Sequence, residues 1–163
     1  MEVSALILLD GSENIEKSIE TSLLRVPAGI DHVLFMLPQE SEGNHTQNHT
    51  ILYRDSNDSL LLQAFFDVLN KMESGRLLIL NGVDESISCE NIEHLLEYST
   101  RLPHMTVVAV RQGNALDFPL VLPTSAKLDI ADFIHEGQGE QGVNGWLEQG
   151  VYIECELSPV VTG

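Results

Sequence analysis

The stretch VSALILLDGSENIEKSIETSLLRVPAGIDHVLFML, residues 3–37, decides the fold class of this chain. It begins with residues 3–9, an apolar run without alternation, which is typical of a strand covered on both faces. Apolar side chains then recur at helical spacing between charged ones, from Ile15 to Leu24. A second apolar run, residues 31–37, follows. Two buried strands joined by an amphipathic helix predict a right-handed β-α-β unit with parallel strands.

The same pattern continues to residue 110. Further strands are predicted at residues 51–53, 76–80 and 106–110. Helices are predicted between them, over residues 59–72 and 89–101. The order β-α-β-β-α-β-α-β with short connections predicts a three-layer α/β/α fold around a mostly parallel, Rossmann-like sheet.

The chain beyond residue 110 is less regular. We expect residues 111–163 to form an irregular acidic extension that packs on the core, within one domain spanning residues 1–163. Short apolar runs indicate a strand at residues 118–122 and a helical turn at residues 130–134, and the glycines of residues 137–150 indicate a flexible loop. Residues 151–157 alternate apolar and acidic side chains, which predicts a half-exposed strand at a sheet edge or in a hairpin.

The chain is strongly acidic. Its 163 residues contain 25 Asp and Glu but only 8 Lys and Arg, so the formal net charge is −17 at pH 7. A surface this negative repels phosphate groups, and we therefore expect neither nucleic-acid binding nor membrane insertion. The apolar fraction of 43% is enough to build a core, which argues against a disordered chain.

Targeting signals and cysteine usage indicate the compartment. The first residues lack the basic region of a secretory signal, and no segment approaches the roughly 20 apolar residues of a membrane span. We therefore expect a cytoplasmic protein. Cys89 and Cys155 are far apart and show no metal-ligand spacing, so we expect two buried free thiols.

Five segments in a fixed order carry a family resemblance: residues 3–9, 12–24, 30–37, 72–80 and 92–98. Their order and spacing are similar to the nucleotide-sugar-binding half of family-2 glycosyltransferases of the GT-A fold. The resemblance covers residues 1–110, about two-thirds of the chain. It implies a nucleotide-diphospho-sugar-transferase-like core, with the ligand at the carboxyl ends of the strands.

The resemblance also implies where the chemistry of that family would lie. The family's uridine-binding Asp pair corresponds to a stretch in which Glu40 and Ser41 are the polar candidates. Its DxD motif, which coordinates Mn²⁺ or Mg²⁺, corresponds to residues 81–83, where Asn81 replaces the first carboxylate and valine the second. Asp84 and Glu85 follow immediately and could form a shifted metal site.

Asp10 follows the first strand, so it is expected at the same sheet edge and completes a nucleotide-sugar-binding set with Glu40, Ser41 and Asn81. Together with Asp84 and Glu85 it could also surround a cation. The simpler interpretation of the acidic turn is that it caps the following helix, for which Ser88 is a good N-cap residue.

The last part of the chain suggests contact with a protein. Trp146 lies among glycines and could anchor a partner, although the pattern favours a core position that plugs the sheet edge. Glu154 and Glu156 share one face of the alternating strand. They could form an acidic docking surface for a basic partner, or they could block edge-to-edge association of sheets.

These observations lead to two principal hypotheses. The first is a degenerate GT-A-like domain, a pseudoenzyme without catalytic residues or cofactor, that acts as an interaction or assembly subunit through a basic protein partner or self-association. The alternative is an active nucleotide-sugar-dependent glycosyltransferase that uses Mn²⁺ or Mg²⁺ at Asp84 and Glu85. A third possibility is a fragment of a longer glycosyltransferase, since the acceptor-side portion with the family's catalytic base is not recognisable.

Overall fold

The computed structural model describes residues 2–10, 14–38, 50–54, 58–73, 75–82 and 86–157. Within them, the strands are β1 (Val3–Leu8), β2 (His32–Pro38), β3 (Thr50–Arg54), β4 (Arg76–Asn81), β5 (Thr106–Arg111), β6 (Asn114–Pro123) and β7 (Tyr152–Glu156). The helices are α1 (Ile15–Leu23), α2 (Asp58–Lys71), α3 (Cys89–Thr100), α4 (Ala126–His135) and α5 (Gly142–Gln149), and a 3-10 turn (Gly139–Gln141) precedes α5. None of these helices is both long and apolar enough to cross a lipid bilayer.

All seven described strands belong to one sheet, in the order β3-β2-β1-β4-β6-β5-β7. Neighbouring strands pair in parallel except around β6, which is antiparallel to both β4 and β5. The predicted three-layer α/β/α fold with a mostly parallel sheet is therefore confirmed. The predicted order of elements up to residue 110 is confirmed as well.

Each face of the sheet is covered by helices, which explains the unbroken apolar runs. On β1, Ala5 and Ile7 face a core that α1 and α3 complete, whereas Leu6 and Leu8 face a second core under α2, α4 and α5. Successive strand residues point to opposite faces, so a strand buried on both sides must be apolar at every position. All six residues of β1 are buried.

The chain beyond residue 110 is more regular than its sequence predicts. β6 has ten residues rather than five, and it lies inside the sheet between β4 and β5. α4 is a ten-residue helix rather than a single turn. α5 occupies part of the predicted flexible loop, where a Cβ at Gly145 would lie 2.3 Å from the Cβ of Gln141. This glycine is therefore required by close packing and does not mark a loop.

The prediction of an edge strand near the C-terminus is confirmed. β7 is the last strand of the sheet and pairs in parallel with β5. Cys155 and Leu157 are buried in the core under α1 and α3, whereas Glu154 and Glu156 are exposed. This alternation is the one expected of a strand with only one fully buried face.

Candidate functional site

The winding of the sheet reverses between β1 and β4. The chain runs outward from β1 to β2 and β3, and then crosses back so that β4 pairs with the other side of β1. Ligands of open α/β sheets bind beyond the carboxyl ends of the strands at such a switch point. The predicted residue Asn81 ends β4 there, opposite Leu8 in register, and Asp10 lies two residues beyond Leu8. The structure thus places both predicted residues at one edge, with Asp10 exposed and Asn81 half-buried.

Gly82 permits the close approach of strand ends at this edge. Its N–H donates a 2.8 Å hydrogen bond to the carbonyl of Leu8. A Cβ at this position would lie 2.4 Å from Cδ2 of Leu9, 2.9 Å from Oγ of Ser22 and 3.0 Å from Cγ2 of Ile7. A side chain at this position would have to displace these three side-chain ends, so close packing of β1, β4 and α1 favours glycine where β4 leads into the following connection.

Two arginines hold the ends of the connection between β4 and α3. Nη2 of Arg25 donates a 2.7 Å hydrogen bond to the carbonyl of Gly82, at the start of the connection. Nη2 of Arg111 donates to the carbonyl of Ser86, at its end, over 3.2 Å, and to Oδ1 of Asn91 over 3.1 Å. Neither arginine is predicted from the sequence, because each contacts residues that lie far from it along the chain.

The start of α3 is fixed by its own side chains. Oγ of Ser88 accepts a 3.1 Å hydrogen bond from the N–H of Asn91, and Oδ1 of Asn91 accepts one of 3.4 Å from the N–H of Ser88. This reciprocal capping box confirms the N-cap predicted for Ser88. Asn91 also accepts from Arg111, so the cap and the arginine contact form one small network.

The other residues predicted for this site, Glu40, Ser41, Asp84 and Glu85, lie outside the described residues. Among those that are described, no group of three or more His, Cys, Asp or Glu side chains is placed to hold a metal ion. Asp10 and Asn81 supply one carboxylate and one amide oxygen, whereas Mn²⁺ and Mg²⁺ are usually held by more oxygen ligands. These two residues therefore fit a divalent cation only together with further ligands, and the metal site at Asp84 and Glu85 stays a prediction.

The residues predicted to contact a partner occupy different environments. Trp146 is only 7% exposed and packs in the core under α2, α4 and α5. Glu154 is exposed on β7. The carboxylate of Glu156 accepts a 2.6 Å hydrogen bond from the N–H of Gln112, a residue with φ of 53° in the turn between β5 and β6. Glu156 therefore stabilises this turn, and the partner-binding roles stay predictions.

Neither cysteine has the environment of a nucleophile. Both are free thiols, and Cys155 is buried as predicted, but Cys89 is only half-buried at the exposed start of α3. Burial raises the pKa of the Cys155 thiol above its ordinary value, and the charge of Glu156 adds to this effect. Burial likewise raises the pKa of Cys89, with contributions from Glu93 and Glu90. Raised pKa values keep both side chains protonated near neutral pH and therefore weakly reactive.

No protein-family model matches this chain, and no curated protein matches it by sequence. Solved structures do match its fold. Rv0371c from Mycobacterium tuberculosis H37Rv is 11% identical with a TM-score of 0.67, and the match covers 96% of this chain and 87% of that one. CMP:2-keto-3-deoxy-manno-octonic acid synthetase complexed with CTP is 11% identical with a TM-score of 0.66, covering 99% and 93%.

A third similar structure is 2-C-methyl-D-erythritol 4-phosphate cytidylyltransferase from Francisella tularensis, 9% identical with a TM-score of 0.65 and coverage of 99% and 95%. At such low identities the comparisons show the fold alone. By name, one of these structures is a cytidylyltransferase and another is a synthetase complexed with CTP, and none of the three is named a glycosyltransferase. The resemblance to family-2 glycosyltransferases thus extends only to the architecture, and the chain shares the α/β fold of these structures.

Proposed function

We propose that this chain is a nucleotide-binding domain that holds a nucleotide or nucleotide sugar at the carboxyl edge between β1 and β4 without transferring a group. The observation that carries the proposal is the switch point, where Asp10 and Asn81 lie at the ends of the paired strands β1 and β4. Ligand sites of this class of sheet lie at such a position. One structure with the same fold is a complex with CTP, which supports a nucleotide as the ligand class.

The charges at this edge suit a diphosphate bound together with a cation. Arg25 and Arg111 supply positive charge at the two ends of the connection from β4 to α3. The connection itself carries Asp84 and Glu85, which repel phosphate unless a divalent cation lies between them and the ligand. We therefore expect nucleotide binding to be weak without Mn²⁺ or Mg²⁺ and stronger with it.

The proposal that no group is transferred rests on the residues at the positions of the resembled motif. Asn81 stands where the glycosyltransferase DxD motif begins, and an amide oxygen is a neutral, weak ligand for a hard cation. The edge retains groups for binding a nucleotide, but residues 81 and 83 lack the two carboxylates of the DxD motif, which in the resembled family hold the cation against the departing diphosphate. According to this proposal, the domain contributes to an assembly by binding a nucleotide and does not catalyse a transfer.

The alternative proposal is an active transferase with its metal ion at Asp84 and Glu85. It is favoured by one observation, the similarity of the fold to two enzymes, a cytidylyltransferase and a synthetase complexed with CTP. The two proposals share the binding site and differ in turnover.

Isothermal titration with CTP and with UDP-glucose, each with and without Mn²⁺, tests the binding. We expect Mn²⁺-dependent binding that weakens about tenfold in Arg111→Met, because one charge-assisted contact is lost. Arg101→Met removes the same charge from an exposed position at the end of α3 and is the matched control. Absence of binding for both nucleotides at millimolar concentration contradicts the proposal.

Turnover is measured in the same samples as release of nucleoside diphosphate or pyrophosphate. We expect none above the rate without protein. Metal-dependent release that disappears in Asp84→Ala would establish the alternative and reject the non-catalytic proposal.

A further inference from the structure

The turn between β5 and β6 has a strained backbone. Arg111 pairs in register with Asn114, so the turn consists of Gln112 and Gly113 alone. Their φ values are 53° and 80°, both in the left-handed region. Two-residue turns of this kind usually have asparagine or aspartate before the glycine, because most residues with a side chain adopt positive φ only at an energetic cost. The surrounding structure must therefore hold Gln112 in this conformation.

Glu156 provides that restraint from the neighbouring strand. Its carboxylate accepts a 2.6 Å hydrogen bond from the N–H of Gln112, 44 residues away along the chain. The end of β7 is itself fixed against β5, because Glu156 pairs in register with Val110 and the N–H of Leu157 donates a 2.8 Å hydrogen bond to the carbonyl of Val110. A hydrogen bond to a carboxylate is stronger than one between neutral groups. Glu156 is therefore well placed to hold the turn.

Arg111 begins this turn, and its side chain connects the turn to the proposed nucleotide site. Its Nη2 contacts the carbonyl of Ser86 and Oδ1 of Asn91, at the end of the connection from β4 to α3. Its Nε is sealed from solvent and has no hydrogen-bond partner among the described residues. Because the base of the guanidinium is enclosed, the side chain has little freedom to compensate for a displaced turn. A displacement of the turn therefore weakens the hold of Arg111 on the connection.

Glu156 is too far from the proposed site to contact a nucleotide itself. β7 lies three strands away from β4 in the sheet, which is about 14 Å at the usual strand spacing. At this distance salt screens most of the interaction between exposed charges. An effect of Glu156 on the site must therefore pass through the turn and Arg111.

We propose that Glu156 is a positioning residue: it holds the turn at Gln112 so that Arg111 keeps its contacts with the connection from β4 to α3, and thereby supports nucleotide binding at this edge. The effect on nucleotide affinity rests on the proposed function of the site. Glu154, on the same face of β7, forms no hydrogen bond or ion pair within the described part of the chain. It therefore provides a matched control for the charge of Glu156.

Isothermal titration with CTP and with UDP-glucose, in the presence of Mn²⁺, measures the effect on binding. Glu156→Ala should weaken binding about fivefold, because the turn loses one charge-assisted hydrogen bond. Glu156→Gln keeps an acceptor oxygen and should weaken binding about twofold at most. Glu154→Ala removes the same charge from the same face of β7 and should leave the affinity unchanged.

Two second-site variants test whether the effect passes through the turn and the arginine. Gln112→Gly relieves the strain, since glycine adopts positive φ readily, and should restore the affinity of Glu156→Ala to the wild-type value. In Arg111→Met the contact that transmits the effect is absent, so Glu156→Ala should weaken binding no further in that background. The second result is not expected if Glu156 only stabilises the fold.

An NMR measurement on the ¹⁵N-labelled full chain reports the position of Arg111 without a nucleotide. The Nε–H resonance of Arg111 is assigned by its loss in Arg111→Met, and its exchange with water is slow while Nε is sealed from solvent. Exchange should be at least about fivefold faster in Glu156→Ala, because the side chain is released more often. It should return to the wild-type rate when Gln112→Gly is added.

These measurements separate the positioning role from the proposed function. Faster exchange in Glu156→Ala without nucleotide binding by the wild type rejects the proposed function and supports the positioning of Arg111. Unchanged exchange overturns the positioning role, whether or not a nucleotide binds. Equal affinities of Glu156→Ala and Glu154→Ala, or an undiminished effect of Glu156→Ala in Arg111→Met, overturn it as well.

Discussion

The substitution Gly82→Ala tests the tight packing at the switch point. The added Cβ would lie 2.4 Å from Cδ2 of Leu9 and 2.9 Å from Oγ of Ser22, where ordinary contacts begin at about 3.4 Å. The Leu9 side chain is only 2% exposed and has little space to move into. Overpacking of this kind costs about 1–3 kcal/mol in the free energy of unfolding. For a chain of this length each kcal/mol corresponds to roughly 2–4 °C in Tm.

The assay is urea unfolding followed by the fluorescence of the only tryptophan and, separately, by circular dichroism. Gly29→Ala is the matched control, because a Cβ there meets nothing within 4 Å. The control should unfold at or slightly above the wild-type urea midpoint, since alanine restricts the unfolded chain. If Gly82→Ala unfolds at the same midpoint as Gly29→Ala, β1, β4 and α1 do not pack as closely as inferred.

Two further predictions concern buried polar groups. Arg76 is only 4% exposed, and its Nη1 donates to the carbonyl of Leu96 and to Oγ of Ser99 near the end of α3; burial lowers the pKa of its guanidinium. Arg76→Met keeps most of the side-chain volume but removes these hydrogen bonds, so it should lower the free energy of unfolding in urea by about 1–3 kcal/mol. A variant more stable than the wild type would show that the cost of desolvating the guanidinium outweighs the hydrogen bonds. Because the pKa values of both thiols are raised, alkylation of Cys89 at pH 7 should be slower than that of a free thiol, and its rate should still increase above pH 9. Cys155 should react only in urea. Rapid labelling of Cys155 in the native protein would contradict its burial.

The strands that can be predicted from the sequence are those that consist of unbroken apolar runs. β1, β4 and β5 are buried on both faces, and that burial leaves little choice of residue type. Only the second half of β6 was predicted, because Asn114 and Asp117 break the apolar pattern in its first half. α5 was not predicted because a glycine such as Gly145 usually indicates a loop. In the structure, glycine is needed at this position because of the close contact with Gln141.

The candidate site likewise contains residues that could be predicted from the sequence and residues that could not. Asp10 and Asn81 could be placed in advance, because a residue after a strand of a parallel sheet must lie at its carboxyl edge. Arg25 and Arg111 could not, since a long side chain can reach many places and only the folded chain shows which carbonyl it contacts. The need for glycine at position 82 was equally hidden, because three distant segments create it.

The position of β7 has a consequence for the synthesis of the protein. β5 is a buried apolar strand that pairs with β6 on one side and with β7 on the other. The ribosome makes β7 about 40 residues after β5, so one edge of β5 stays uncovered until these residues have emerged. An uncovered apolar edge invites pairing with another nascent chain. A polypeptide released early, before Tyr152, would therefore lack the strand that closes this edge and would be prone to aggregate.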